Sequence, residues 1–212
     1  MNSLFKKIRR NLTDYGLWIT FTKSFSALFS RFYLKKIYRL YRIDLRQYVP
    51  KQVSEEMFTY RIINKNNYDP DKVRQIEELE EWSAGKIGPD LQKDAMCLVA
   101  LDGERVAGFN WVNLNSFQIP IIEKTMTFRR DKAWSQQITV NPEYRGKGLG
   151  STLRYKIFEA LKNMGIKKFY GGTLHNNYPN IKLSEKVGFE FFVDIHFTKI
   201  FGSKKWKYRR AK

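Results

Sequence analysis

Residues 138–151 read Ile-Thr-Val-Asn-Pro-Glu-Tyr-Arg-Gly-Lys-Gly-Leu-Gly-Ser, the segment of this chain whose residue types and spacing could best do chemistry. A β-prone run ends at Val140 and a glycine-rich turn follows. Leu149, Leu153, Ile157, Leu161 and Met164 then recur at helical spacing. Glycines at 146, 148 and 150 remove side chains where the backbone must approach a ligand closely. The N–H groups at the N-terminus of the helix that follows form an anion site. Arg145 and Lys147 add formal positive charge, so the segment predicts a bound phosphate or pyrophosphate. A dinucleotide fingerprint anchored at Gly146 and Gly148 would need glycine at 151, where Ser151 stands. The P-loop pattern fails too, because no Gly-Lys-Ser/Thr ending occurs.

The elements that position this loop must come from a chain of 212 residues, 42% hydrophobic and 16% aromatic, enough for one substantial core. That composition argues against disorder. A single cysteine, Cys97, excludes an intramolecular disulfide and argues against a thiolate metal cluster; no metal is expected. The net charge of +18 is uneven. Residues 1–50 carry eleven basic residues against Asp14 and Asp44, and residues 203–212 carry six with no acid, so the stretch between is close to neutral. Basic ends of this kind suit nucleic acid, anionic lipid or another polyanion, or serve solubility alone.

Three regions are expected: a basic amphipathic helical extension over 1–50, a domain over 51–202, and a basic tail over 203–212. In the extension, Trp18, Phe21, Phe25, Leu28, Phe29 and Phe32 share one helical face, and Ile37, Tyr38 and Tyr41 follow among basic residues. Lys23, Ser24, Ser26, Ser30 and Arg31 make this face too polar to span a bilayer. Two readings fit it, a helix lying in a membrane interface and a helix docked on the domain. Within the domain, Phe58, Tyr60 and Ile62 alternate as a strand, and Asp69-Pro70-Asp71 starts a helix. Met96–Leu101 and Arg105–Leu114 form a hairpin around Asp102-Gly103. Residues 115–133 give no clear element. Ser135–Val140 reads as a strand, Gly148–Met164 as a helix capped by Gly165, Lys168–Leu174 as a strand and Pro179–Val187 as a helix. Phe189–Phe192 and Phe197–Phe201 read as final strands. The class is α/β: a mixed, mostly antiparallel sheet with helices on its faces.

With these elements in place, Arg145-x-x-Gly148-x-Gly150 after a strand ending in Val140-Asn-Pro-Glu-Tyr resembles the acyl-CoA-binding motif of the GNAT superfamily of N-acetyltransferases. Asn177-x-x-Asn-Ile-x-Leu-Ser-Glu-Lys-Val-Gly188-Phe189 is similar to that family's last helix and the Gly-Phe beginning the next strand. The Asp102-Gly103 hairpin resembles its central strands, and the likeness covers roughly residues 57–202. The resemblance implies a pyrophosphate of acetyl-CoA on the amides of Arg145, Gly146, Lys147, Gly148, Leu149, Gly150 and Ser151. It implies a pantetheine arm along the strand holding Ile138 and Val140, a Val140 N–H that polarises the thioester carbonyl, and cofactor contact by Asn177.

The family's last-helix tyrosine, which protonates the leaving thiolate, corresponds here to Ser184, which acts through water or has no catalytic part. Glu123, Asp131 and His175 are the candidate general bases; His196 and Cys97 read as structural, and Trp111 either lines an acceptor pocket or simply packs. The implied activity is transfer of an acetyl or other acyl group from acetyl-CoA to a primary amine, by direct attack in a ternary complex. The competing reading is a catalytically weak acyl-CoA-binding or membrane-associated interaction protein. Residues 115–133 are where acceptor specificity is expected. A cytoplasmic location is expected, peripheral to an anionic membrane through residues 3–45. A row of Phe is not what phosphate contacts require, so nucleic acid is the weaker partner.

Overall fold

The computed structural model describes residues 32–51, 57–80, 83–128 and 130–210. The Trp18–Phe29 stripe lies outside the described residues. The strands are β1 (Tyr33–Asp44), β2 (Thr59–Ile63), β3 (Ala95–Asp102), β4 (Arg105–Asn113), β5 (Ser116–Ile119), β6 (Lys124–Thr127), β7 (Lys132–Val140), β8 (Lys168–Leu174), β9 (Glu190–Ile200) and β10 (Ser203–Arg210). The helices are α1 (Pro70–Leu79), α2 (Ile87–Leu91), α3 (Leu149–Asn163) and α4 (Tyr178–Lys186). Eight strands form one sheet in the order β10-β9-β1-β8-β7-β4-β3-β2, while β5 and β6 pair separately. Among the described residues only β7 and β8 run parallel; every other neighbouring pair is antiparallel.

Local signals explain most elements. Asp69 caps α1 by accepting from the Lys72 N–H at 3.1 Å, with Pro70 in the first turn. Leu149, Leu153, Ile157 and Leu161 of α3 are buried against the sheet, each worth about 1.5–3 kcal/mol. Met164, expected on that face, is exposed because α3 ends at Asn163 and the chain turns at Gly165.

Both chain ends depart from expectation. Residues 33–44 are a strand, not the end of a helical extension, and the boundary expected at Pro50 falls inside the sheet's chain path. Tyr38 to Asp44 pair with β8 on one side, and Tyr33 to Arg42 with β9 on the other. Ile37, Tyr38 and Tyr41 fit a helix by spacing, but a β-branched and aromatic segment between two strand edges satisfies its backbone on both sides. Deleting residues 1–45 would therefore remove an internal strand. Residues 203–210 are likewise no tail: β10 pairs with β9 along its whole length. The two final strands expected over 189–201 are one strand, β9.

Residues 116–127 form the β5–β6 hairpin, joined by a one-turn 3-10 helix over Pro120–Ile122. Phe117 stacks on Trp134 at 3.8 Å between ring centroids. The Trp206 indole N–H donates to the Ile122 carbonyl at 2.9 Å. Glu123, in left-handed backbone at φ 48°, accepts from Lys199 and Lys204, both at 2.7 Å. The hairpin is thus pinned to β9 and β10.

These lysines hold the Glu123 carboxyl below its ordinary value. A depressed folded-state pKa adds stability above the unfolded value, about 4.3, and the gain is lost as pH falls through the folded value. Thermal unfolding of Glu123→Gln against wild type should therefore show a deficit at neutral pH that shrinks below about pH 4. A deficit unchanged by acid would contradict the pin.

Candidate functional site

The site begins where β7 and β8 part. They pair only from Lys132–Lys168 to Trp134–Tyr170, while β7 continues beside β4 to the Gly108–Val140 pair. A bulge at Gln136, where the register shifts between Trp111 and Val112, turns β7 away at the point of parting. Beyond it, β7 and β8 are separated by a cleft.

Antiparallel alternation fixes which groups face that cleft. The Asn141 N–H donates to the Ala107 carbonyl at 2.9 Å. Residues alternate between facing the partner strand and facing away, so Val140 and Ile138 turn their N–H and C=O groups from β4 into the cleft. The Val140 carbonyl accepts from Arg145 Nε at 3.2 Å, which folds the loop back on the strand.

The loop is set by a 3-10 turn over Pro142–Tyr144, capped by the Asn141 side chain accepting from the Glu143 N–H at 3.2 Å. The Tyr144 hydroxyl donates to Asp102 at 2.8 Å, fastening the loop to the β3–β4 hairpin. Gly146 and Gly148 adopt φ 79° and 78°, where any other residue is strained. Gly148 is the N-cap of α3 and no side chain caps it; its carbonyl accepts from the Ser151 and Thr152 N–H groups at 2.9 and 3.2 Å, which leaves the Leu149 and Gly150 N–H groups without intrahelical acceptors.

A cavity of about 560 Å³ opens at this helix end. Its walls are Ile138–Val140, Tyr144–Gly146, Gly148–Ser151, and Asn177, Pro179, Asn180 and Leu183 around α4, with Glu80 at one side. The group implied by the resemblance fits here. The open amides and Arg145 suit a pyrophosphate, and the buried Asn180 Oδ1, without a partner among the described residues, suits an amide N–H of a pantetheine arm.

A second chamber of about 350 Å³ shares Glu80, Ile138, Thr139 and Asn177 with the first. It continues to Tyr38, Gln118–Ile121, Trp134, Gln136, Gln137 and Gly172–Leu174. A Cβ at residue 172 would run into the Tyr38 ring and stand 2.9 Å from the Arg39 carbonyl, so glycine makes room for the phenol. Burial raises the Tyr38 phenol above its ordinary value and keeps it protonated.

The structure gathers Ile138, Val140, Arg145, Gly146, Gly148, Leu149, Gly150, Ser151 and Asn177 around the first cavity. Lys147 does not line it; its ammonium lies over the Tyr144 ring at 5.5 Å. Four further candidates are elsewhere. Ser184 is buried on α4 and lines neither chamber, although its neighbour Leu183 lines the first. His175 is exposed, its N–H held by the Ile37 carbonyl at 3.1 Å. Glu123 is spent on Lys199 and Lys204. Asp131 lies before the first residue of β7, at the end opposite the cleft. Glu80 and Tyr38 are the titratable groups that sequence reading missed. Glu80 carries no signal beyond following α1, and Tyr38 was hidden by the helical reading of its segment.

Beneath the cleft lies Arg154 of α3, buried and without a carboxylate among the described residues. It donates to Ser135 Oγ at 2.6 Å and stands 5.5 Å from the Phe189 ring centroid. With the Asn110 amide oriented to satisfy both its ends, Asn110 donates to the Gln137 carbonyl at 3.1 Å and accepts from Arg154 at 3.3 Å. Burial pulls the guanidinium down to about 9, still charged at neutral pH. These bonds tie α3 to β7 on both sides of the Gln136 bulge.

Comparisons with known proteins agree with this geometry. The model of the acetyltransferase (GNAT) family matches residues 39–189. No curated protein matches the chain by sequence. Among solved structures, a Drosophila protein is similar at 10% identity and TM-score 0.56, over 88% of this chain and 58% of its own. A tandem GNAT protein from the clavulanic acid biosynthesis pathway is similar at 15% identity and TM-score 0.56, over 90% of this chain and 57% of its own. An aminoglycoside acetyltransferase from an uncultured soil metagenomic sample is similar at 13% identity and TM-score 0.50, over 63% of this chain and 89% of its own. The chain thus spans under two thirds of the first two proteins. The parted strands, the glycine loop and the family match over 39–189 agree: this chain belongs to the GNAT acetyltransferase family.

Proposed function

We propose that the chain transfers an acetyl group from acetyl-CoA to a primary amine by direct attack. The observation that carries this reading is the junction of the two chambers at Ile138 and Thr139, beside the uncapped end of α3. Acetyl-CoA supplies the activated thioester. The α3 amides and Arg145 bind its pyrophosphate, and the outward-facing groups of Ile138 and Val140 pair with its pantetheine arm. The Val140 N–H donates to the thioester oxygen and stabilises the charge that develops there. Asn177 borders both chambers and positions donor against acceptor.

The amine must lose a proton to attack. Among the described residues Glu80 is the one carboxylate lining either chamber, and it lines both, so it serves as the base, directly or through a water. As the C–N bond forms and the C–S bond breaks, the leaving thiolate takes a proton. Ser184 is buried away from the cavity and does not supply it. Tyr38 faces the acceptor side and holds a protonated hydroxyl there.

The acceptor chamber offers the amides of Gln118, Gln136 and Gln137, the hydroxyls of Tyr38, Thr139 and Thr173, and Trp134. With a single carboxylate among the described residues, this lining suits an amine bearing neutral hydroxyl or amide groups. A polycation would want several carboxylates, so a polyamine or an aminoglycoside is the poorer fit.

Glu80→Gln should lower kcat for amine acetylation by about 10²–10⁴-fold while leaving the Kd for acetyl-CoA unchanged. An unchanged kcat would remove Glu80 from the mechanism. Gly148→Glu should weaken acetyl-CoA binding by more than about tenfold in calorimetric titration, since a carboxylate then stands at the anion site. Its Cβ meets no atom within 4 Å, so the fold should persist with only the strain of φ 78°. A wild-type chain that binds acetyl-CoA but acetylates no amine would instead be an acyl-CoA-binding protein.

A further inference from the structure

Strand β8 ends at Leu174, which pairs with Tyr38. Beyond that point β1, β9 and β10 continue as a three-stranded ribbon over residues 33–37, 196–200 and 203–207. Five residues of strand give it a reach of roughly 17 Å past β8. Its tip is the β9–β10 turn.

The turn is made by Phe201 and Gly202, with φ 46° and 85°, closing the Ile200–Ser203 pair. Two positive φ values in a two-residue hairpin loop match a type I′ turn, whose first position favours Asn, Asp or Gly. Phenylalanine is poorly suited to that backbone, and it gains nothing from burial, since Phe201 is 82% exposed. Ile200 beside it is 46% exposed, and Phe32, with its ring 5.7 Å from that of Phe201, is 45% exposed. A strained aromatic at the outermost point of a ribbon points to a use outside the fold.

Charge identifies the partner. Lys35 and Lys205 flank Thr198 on one face of the ribbon, and Lys36 lies on the other. Lys199 and Lys204 are neutralised by Glu123. Among the described residues no carboxylate pairs with Lys35, Lys36, Lys205 or Lys207. Apolar rings at a tip with lysines set back on both faces match the layering of an anionic bilayer, acyl chains below and phosphate headgroups above. A duplex nucleic acid, its bases already stacked, would use the lysines but leave the strained Phe201 unexplained.

We propose that the β9–β10 turn is a membrane-docking tip: Phe201, Ile200 and Phe32 enter the interface of an anionic bilayer while Lys35, Lys36 and Lys205 contact headgroups. The acceptor chamber, lined by Tyr38, lies six residues along β1 from Phe32, about 20 Å from the tip. Docking at the tip therefore holds the acceptor side of the molecule near the lipid surface.

The test uses the full-length chain and sedimentation with vesicles of phosphatidylcholine containing roughly one-third phosphatidylserine, against phosphatidylcholine alone. Wild type should bind the anionic vesicles, and Phe201→Asn should bind about tenfold more weakly. Asn suits the turn, so the same variant should melt at a higher temperature and acetylate a soluble amine as wild type does. The double variant Lys35→Glu, Lys205→Glu should lose binding without loss of fold. Equal binding of wild type and Phe201→Asn to anionic vesicles would overturn the proposal. So would a lower melting temperature for Phe201→Asn, which would mean that the tip is covered by this chain's own residues. Salt-sensitive binding to duplex DNA with no uptake by anionic vesicles would overturn it in favour of nucleic acid.

Discussion

The parting of β7 from β8 after the Trp134–Tyr170 pair is the constraint on which the rest of the site depends. A strand edge opened inside a protein leaves backbone donors and acceptors without partners, at about 1–3 kcal/mol for each group cut off from water. Nothing in a regular ladder would keep such a gap open. Here the Gln136 bulge turns β7 aside, and Arg154, Ser135 and Asn110 hold it there through hydrogen bonds to α3 and to the Gln137 carbonyl. Burying a guanidinium without a carboxylate is costly in itself. The fold bears that cost where it keeps the cleft open to a ligand that can pair with Ile138 and Val140.

The two sides of the cleft are built from different material. On the proposed donor side the groups that line the cleft are backbone: the N-terminus of α3, the positive-φ glycines and the outward edge of β7. On the acceptor side they are side chains brought from four distant stretches of chain. Tyr38 arrives on β1, Glu80 at the end of α1, Gln118 on the β5–β6 hairpin, and Gln136 and Gln137 on β7. The hairpin is held by the Phe117–Trp134 stack on β7 and by β9 and β10, which reach across through Lys199, Lys204 and Trp206 to Glu123 and Ile122. Strand β10 thus shapes a chamber one of whose other walls, Tyr38, lies at least 165 residues earlier in the chain.

This difference explains what could be read in advance. A backbone site leaves local marks, so the glycines at 146, 148 and 150, the strand to Val140 and the stripe of α3 were legible together. So were the Asp69 cap and the β3–β4 hairpin, for the same reason. The acceptor chamber has no such local mark. Glu80 and Tyr38 meet only through the sheet order, and that order depends on β1 entering between β8 and β9. The spacing of Ile37, Tyr38 and Tyr41 fits a helix as well as a strand. What decides it is the need of two strand edges for a partner, which no window of the sequence contains. Glu123 and Ser184 illustrate the converse error: residue type and order made them candidates, but one is held by two lysines and the other is buried on α4, lining neither chamber.

The net charge of +18 acquires a location through the same topology. The pyrophosphate proposed at α3 would draw on oriented amides and one arginine, so it would need little of that charge. Among the described residues much of the excess sits instead on β1 and β10, strands on either side of β9. Strand geometry alternates side chains between faces, and this splits the lysines of these two strands above and below the ribbon rather than pooling them on one surface. A patch on one face would suit a flat polyanion lying against the sheet. Lysines on both faces, behind apolar residues at the end, favour entry of the ribbon end-on into a layered partner. The charge that first suggested a generic polyanion therefore specifies an approach direction, and that direction is set by the strands that also build the acceptor side of the cleft.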